Sequence, residues 1–198
     1  YANASSYGSS LGYGANGYNR GVAMCQAANG STYGAALGHL ANGYNYGVAV
    51  GANASGTIDS VAIGNTAIGG GTGVAVGAYA NGSDRAVAVG YQANGNYLGT
   101  AVGYQANGQS RGTAIGYQTM AYDYGAAVGL LCNAYNRGAS LGYNANSYQY
   151  GIALGYRANA YSYGFSAGYN SLAGNEGSAL GYIANGYHGG IAVGYSSV

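Results

Sequence analysis

Val61-Ala62-Ile63-Gly64, Val74-Ala75-Val76-Gly77 and Val87-Ala88-Val89-Gly90 are one phrase written three times, each copy thirteen residues after the last. The phrase recurs upstream as Val48-Ala49-Val50-Gly51 and downstream as Thr100-Ala101-Val102-Gly103, Thr113-Ala114-Ile115-Gly116 and Ile191-Ala192-Val193-Gly194. Its glycine also falls at Gly12, Gly38, Gly129, Gly142, Gly155, Gly168 and Gly181, with Cys25 in the one missing place. Fifteen repeats therefore follow one another without an insertion or deletion. A fixed short period of this kind is the signature of a solenoid.

With that glycine numbered as position 0, the columns separate by chemistry. Position 12 is aliphatic almost throughout (Met24, Leu37, Val50, Ile63), position 11 is Ala or Ser, and position 9 is Gly in all but two repeats. Position 3 is mostly Ala, position 4 mostly Asn, and position 5 always Gly, Ala or Ser. The pairs Asn16-Gly17, Asn42-Gly43 and Asn94-Gly95 at positions 4 and 5 predict a tight turn with positive φ. Thirteen residues are too few for two helices, and the glycine content opposes helix formation. The unit suits one coil built from two short strands, the first centred on positions 10–12 and the second on positions 1–4.

The chain thus reads as a single all-β domain over residues 1–198, a parallel β-solenoid (β-roll) of about fifteen coils. Coils start near Gly12, Cys25, Gly38 and Gly51 and then every thirteen residues to Gly194. At a strand spacing of about 4.8 Å such a stack measures on the order of 70 Å. One extra residue would break the register of every stacked column, which accounts for the unvarying length.

Charge placement orients the coil. Arg20, Asp59, Arg85, Arg111, Arg137 and Glu176 occupy position 8, while Asp84 and Asp123 occupy position 7. Unpaired charge is costly in a narrow core, so the turn at positions 6–8 faces water. Strand alternation then directs positions 10 and 12 inward and leaves positions 9, 11 and 0 outside. On this reading Gly47, Ala49 and Gly51, with Gly73, Ala75 and Gly77 and with Gly99, Ala101 and Gly103, form a smooth, mildly apolar strip. One inward aliphatic side chain per coil is little to set against thirteen ordered residues. The strip is therefore the expected subunit-packing face of a homo-oligomer, a trimer or a filament.

Tyrosines also fall in columns. Position 1 holds Tyr104, Tyr117, Tyr143, Tyr156, Tyr169, Tyr182 and Tyr195 among others. Position 6 holds Tyr44, Tyr122, Tyr135, Tyr148 and Tyr161, and position 8 holds Tyr46, Tyr124, Tyr150 and Tyr163. Rings one coil apart can stack and stiffen the structure. The rows at positions 6 and 8, on the exposed edge, are the candidate contact ladder for a glycan, a partner rod or a solid surface.

Composition narrows the function. Glycine (41), tyrosine (25) and alanine make up just over half of the 198 residues, and proline is absent. A net charge of +1 without a lysine gives no electrostatic case for nucleic acid or an anionic membrane. No apolar run approaches the roughly 20 residues of a membrane span. Cys25 and Cys132 lie about eight coils apart, too far for a bridge whose Cα atoms must come within about 7 Å. His39 and His188 lie in different columns, so no zinc site arises. The run Gly69-Gly70-Gly71-Thr72-Gly73 lacks the Lys-Ser/Thr of a phosphate loop, and no carboxylate pair forms for acid–base work. No enzyme and no cofactor is expected.

The Ala-Val-Gly and Ala-Ile-Gly tetrads, with Thr100-Ala101-Val102-Gly103-Tyr104-Gln105-Ala106 and Thr113-Ala114-Ile115-Gly116-Tyr117-Gln118, resemble the head repeat of YadA-type trimeric autotransporter adhesins and related repeats of phage tail fibres. The resemblance covers the chain coil by coil. It implies a left-handed parallel β-roll, three chains packed side by side, and an adhesive role outside the cell or on a virion surface. This chain departs in its shorter period and in having Gly at position 9, where that family favours Ser. The expected function is a self-associating extracellular fibre or adhesin segment. The rival readings are an ice-binding solenoid, against which no Thr-x-Thr column exists and Thr100 and Thr113 are isolated, and a filament subunit that polymerises end to end.

Overall fold

The computed structural model describes residues 1–198 and is all-β: a parallel β-solenoid of about fifteen coils, thirteen residues apart, with two parallel sheets and no helix. Contacts divide it into two compact units, Tyr1–Val102 and Gly103–Val198. In the first, one sheet runs from Asn3–Ser5 to Asn94–Asn96 and the other from Ser9–Leu11 to Thr100–Val102. In the second, the corresponding strands run from Asn107–Gln109 to Asn185–Gly186 and from Thr113–Tyr117 to Ile191–Val193. Within each unit the strands pair in parallel with their equivalents one repeat away. Val61 faces Val74, Ala62 faces Ala75 and Ile63 faces Val76, and likewise Val89 lies beside Val102.

The strands occupy positions 10–12, as expected, and positions 4–6, further along than expected. Positions 0–2 make the first turn in most coils, while the strands Thr113–Tyr117, Ala126–Leu130, Ala139–Tyr143 and Ile152–Tyr156 continue through positions 0 and 1. The position 0 glycine adopts φ between 122° and 145° at positions such as Gly155 and Gly38, and the residue two later is left-handed, as at Gln92, Gln105 and Gln118. A Cβ on Gly51 would lie 2.4 Å from the carbonyl oxygen of Gly64 in the next coil, so position 0 is closed to side chains on two counts. Cys25 tolerates the site at φ 91°.

The second turn lies at positions 7 and 8, both left-handed: Asn19 and Arg20, Asp84 and Arg85, Ser110 and Arg111. The N–H of position 9 closes it on the carbonyl of position 6, as from Gly99 to Asn96 at 3.1 Å and from Gly112 to Gln109 at 2.7 Å. This is a type I′ turn without the usual glycines. Two left-handed residues per coil are unfavourable by about 1–2 kcal/mol each. Bonds to the neighbouring coil hold them there, such as Arg137 N–H to Asp123 O at 2.9 Å and Tyr124 N–H to Ser110 O at 3.1 Å. The Asn-Gly pairs are not turns. Asn16-Gly17, Asn42-Gly43 and Asn94-Gly95 lie in strands.

Which side faces inward is the reverse of the expectation. Ala49, Ala62, Ala75, Ala88 and Ala101 at position 11 are fully buried, as are Ala41, Ala54 and Ala67 at position 3. Gly47, Gly73 and Gly99 at position 9 are buried too, and Gly51, Gly77 and Gly103 are half-buried at the turn. Six of the nine residues of the expected packing strip are therefore interior, and Gly51, Gly77 and Gly103 keep partial exposure at the turn. The physical reason is space. A Cβ on Gly56 would lie 2.2 Å from the carbonyl oxygen of Val48 in the opposite sheet, and one on Gly47 2.1 Å from that of Gly56. Two backbones this close admit a methyl group at positions 3 and 11 and nothing larger than Cys132 or Thr119. The larger aliphatic side chains of positions 10 and 12 are left outside.

Two substitutions test this inversion. Gly56→Ala, which adds one methyl between the sheets, is expected to destabilise the fold by about 1–3 kcal/mol as overpacking does. Ile63→Ala, removing an outward side chain, is expected to change the unfolding midpoint of a dilute sample by far less. Urea titrations followed by circular dichroism compare the two.

Candidate functional site

With an interior of Ala and Gly, the chemistry lies on three outward surfaces. The first is the aliphatic face of the sheet built from positions 10–12. Val22 and Met24, Val48 and Val50, Val61 and Ile63, Val74 and Val76, and Val87 and Val89 form two columns flanking the buried alanines. These side chains are half-buried or exposed; Leu37 and Leu141 reach 45% and 53%. The second unit continues the pattern with Thr113 and Ile115, Ala139 and Leu141, and Ile152 and Leu154. No charged residue stands in either column, since eight of the nine lie at positions 7 and 8 and Arg157 at position 2.

The second surface is the face of positions 4–6, which carries an amide ladder. The side-chain NH2 of Asn3 donates to the Oδ1 of Asn16, Asn16 to Asn29, and Asn29 to Asn42, at 3.0–3.1 Å. In the second unit Asn133 donates to Asn146 and Asn146 to Asn159, at 2.7 and 3.1 Å. Several of these amides also reach the position 2 carbonyl of their own coil, as Asn146 does to Asn144 at 3.1 Å. Beside the ladder the rings of Tyr122, Tyr135, Tyr148 and Tyr161 stack at 5.3–5.5 Å with planes within 9°. Desolvation by burial raises the phenols of Tyr135 and Tyr148 above the ordinary value, and the neighbouring phenols of the row push the same way.

The third surface is the turn edge. Arg20 lies between Tyr7 and Tyr33, 5.9 and 5.4 Å from their ring centres. Arg137 lies between Tyr124 and Tyr150 at 5.5 and 5.4 Å, and donates from Nη1 to the Tyr150 hydroxyl. Asp123 and Asn136 join these three residues around an open hollow of about 250 Å³. Tyr33 and Tyr46 stack at 5.0 Å, as do Tyr150 and Tyr163.

The contact ladder read from the sequence is thus placed in separate rows. Tyr122, Tyr135, Tyr148 and Tyr161 come together on one face, Tyr124, Tyr150 and Tyr163 stand on the turn edge of the second unit and Tyr46 on that of the first, while Tyr44 stands exposed in the sheet between Ser31 and Thr57. No group of three His, Cys, Asp or Glu gathers to hold a metal. Cys25 is exposed and Cys132 buried, both as free thiols, and burial pushes the Cys132 thiol up. No helix is long and apolar enough to cross a membrane. Compared with protein-family models and with curated proteins, the chain has no match.

The amide ladder escaped the sequence reading because Asn next to Gly is a strong turn signal. The signal for it was the recurrence of Asn in one column. A side-chain amide both donates and accepts, so Asn in one column of a parallel stack can bond upward and downward at once.

Two outcomes follow. Asn146→Ala removes the bonds to Asn133, to Asn159 and to the Asn144 carbonyl, so about 1.5–4.5 kcal/mol should be lost at roughly 0.5–1.5 kcal/mol per bond, read as a lower urea midpoint. Because Tyr135 and Tyr148 ionise above the unfolded value, near 10, the unfolded chain releases these protons first as pH rises. Stability is then unaffected by the pair below about pH 10 and falls as pH climbs from there through the raised values. Melting curves at rising alkaline pH, with Tyr135→Phe/Tyr148→Phe as the less sensitive comparison, read this out.

Proposed function

We propose that the chain is a non-enzymatic structural segment of an extracellular or virion-surface fibre or adhesin, in which copies of the solenoid pack side by side through the aliphatic face. The observation that carries this reading is the pair of uncharged Val, Ile, Leu and Met columns left on the outside of one sheet. A contiguous apolar patch of this kind is uncommon on a monomer and marks a contact face. A second copy of the same chain suits it best for a geometrical reason. Each coil presents the same two ridges at the strand spacing, so another copy offers ridges of identical period, which can interdigitate at the roughly 10 Å separation of stacked sheets. With no charge in the columns, like faces do not repel. The Asn and Tyr surfaces on the other sides remain available to a glycan or another external ligand.

A second reading is favoured by the same columns. Val-x-Val and Thr-x-Val pairs held at fixed spacing on an uncharged sheet suit a surface that orders water on an ice lattice. Sedimentation separates the two. The purified chain is expected to sediment as an oligomer, and Ile63→Lys/Val76→Lys, which leaves the interior untouched, as a single 19.6 kDa species with an unchanged circular dichroism spectrum. A wild-type chain that is itself a lone species removes the self-association reading. Thermal hysteresis in that sample would establish the ice-binding one.

A further inference from the structure

Tyr143, Tyr156, Tyr169, Tyr182 and Tyr195 stand in an unbroken column at position 1, one per coil. Successive ring centres lie 4.8, 4.8, 4.9 and 4.9 Å apart, with planes 4–8° from parallel. Tyr143 and Tyr156 are register partners in the sheet, so the rings inherit the spacing of the strands. The backbone beneath them is pinned from the next coil. Arg157 N–H bonds to the carbonyl of Tyr143 at 2.8 Å, Asn170 N–H to Tyr156 at 2.7 Å, and Ile183 N–H to Tyr169 at 2.9 Å. The rings are nonetheless open to solvent, Tyr169 at 45% and Tyr195 at 79%.

We infer that this column is a modification site for oxidative phenol coupling, which forms carbon–carbon dityrosine staples between successive coils of one chain. The step needs a one-electron oxidant, and a peroxidase with hydrogen peroxide is the class that supplies it. Each of two neighbouring phenols loses one electron and its hydroxyl proton, leaving a pair of phenoxyl radicals. Their ortho carbons join in a single bond. Each ortho hydrogen then leaves as a proton and each oxygen takes one up, so both rings regain aromaticity as phenols. The pair has lost two electrons and two protons overall, and these convert one hydrogen peroxide to two waters.

The usual obstacle is that two short-lived radicals must meet. Here the second phenol is already in contact, so the encounter is replaced by a unimolecular rearrangement. The χ2 torsion of tyrosine is broad, and turning both rings about it brings ortho carbons edge to edge without moving the backbone. The other rows are less suited. Position 6 rings are 5.3–5.5 Å apart, and burial at Tyr135 and Tyr148 disfavours the readily oxidised phenolate. Tyr150 and Tyr163 form a row of only two rings, with Arg137 5.4 Å from the Tyr150 ring, whereas the position 1 column keeps five rings in succession with Arg157 5.3 Å from the Tyr156 ring.

The test treats the full chain, at low concentration, with peroxidase and hydrogen peroxide. Trypsin then cuts after Arg137 and Arg157, which leaves Tyr143 and Tyr156, with Tyr148 and Tyr150, in one peptide and Tyr169, Tyr182 and Tyr195, with Tyr161, Tyr163 and Tyr187, in the next, so fragmentation of the joined peptides reads which tyrosines are linked. The expected product is these two peptides joined through Tyr156 and Tyr169, lighter by two hydrogens, with dityrosine fluorescence. Joining should be lost when the chain is oxidised in denaturant. In Tyr156→Phe/Tyr182→Phe the stack keeps its rings, but Tyr143, Tyr169 and Tyr195 are left two coils apart, roughly 10 Å at the strand spacing, and should be recovered unmodified. Tyr18→Phe/Tyr187→Phe removes two tyrosines without ring partners in their own column and should leave the yield unchanged. Three results would overturn the inference: equal joining in denaturant, modification of Tyr169 in the double variant, or joined peptides of mixed isotopic origin from a blend of labelled and unlabelled chains.

Discussion

Everything in this molecule depends on how closely its two sheets approach. The carbonyl oxygens of one strand lie where a Cβ on the opposite strand would have to be, 2.1 Å from such an atom at Gly43 and 2.2 Å at Gly56. That gap admits glycine or another small residue at positions 5 and 9, where Ala121, Ala134 and Ser147 or Ser60 and Ala86 stand in some coils, and little more than a methyl at positions 3 and 11. The tight gap also explains why the coil never changes length, because a longer strand or turn would shift small residues out of the columns where nothing larger fits.

A core of methyl groups offers little apolar area, so outward columns contribute order that the interior cannot. Asn amides bond from coil to coil, tyrosine rings stack at the strand spacing, and arginines lie between rings on the turn edge. Each of these is weak singly. Because every coil repeats the same contact with its neighbours, they act as nearest-neighbour terms along a one-dimensional array. The same contacts hold two left-handed residues per turn in a conformation they would not choose alone.

The faces divide the surface by chemistry. One is aliphatic and free of charge, the opposite one carries amides and phenols, and the edge between them carries nearly all the charge. Such a division suits a scaffold that packs on one side and is presented to its surroundings on the other. The phenols stand in columns, and their regular spacing is a product of the backbone.

Periodicity alone determined much about this protein. The thirteen-residue recurrence of Val-Ala-Val-Gly specified parallel coils, the charges at positions 7 and 8 located the exposed turn, and the tyrosine columns foretold stacked rings. These follow because equal spacing in the chain becomes vertical alignment once coils stack. Tertiary structure decided what faced inward. Hydrophobicity favours Val50 over Ala49 for a core, yet Ala49 is buried and Val50 lies outside, because the distance between the sheets, which no pattern of residue types states, leaves room for a methyl and not for an isopropyl group. The same distance placed Asn-Gly in strands rather than turns: Gly43 is there to let two backbones pass, and Asn42 to bond with its copies above and below.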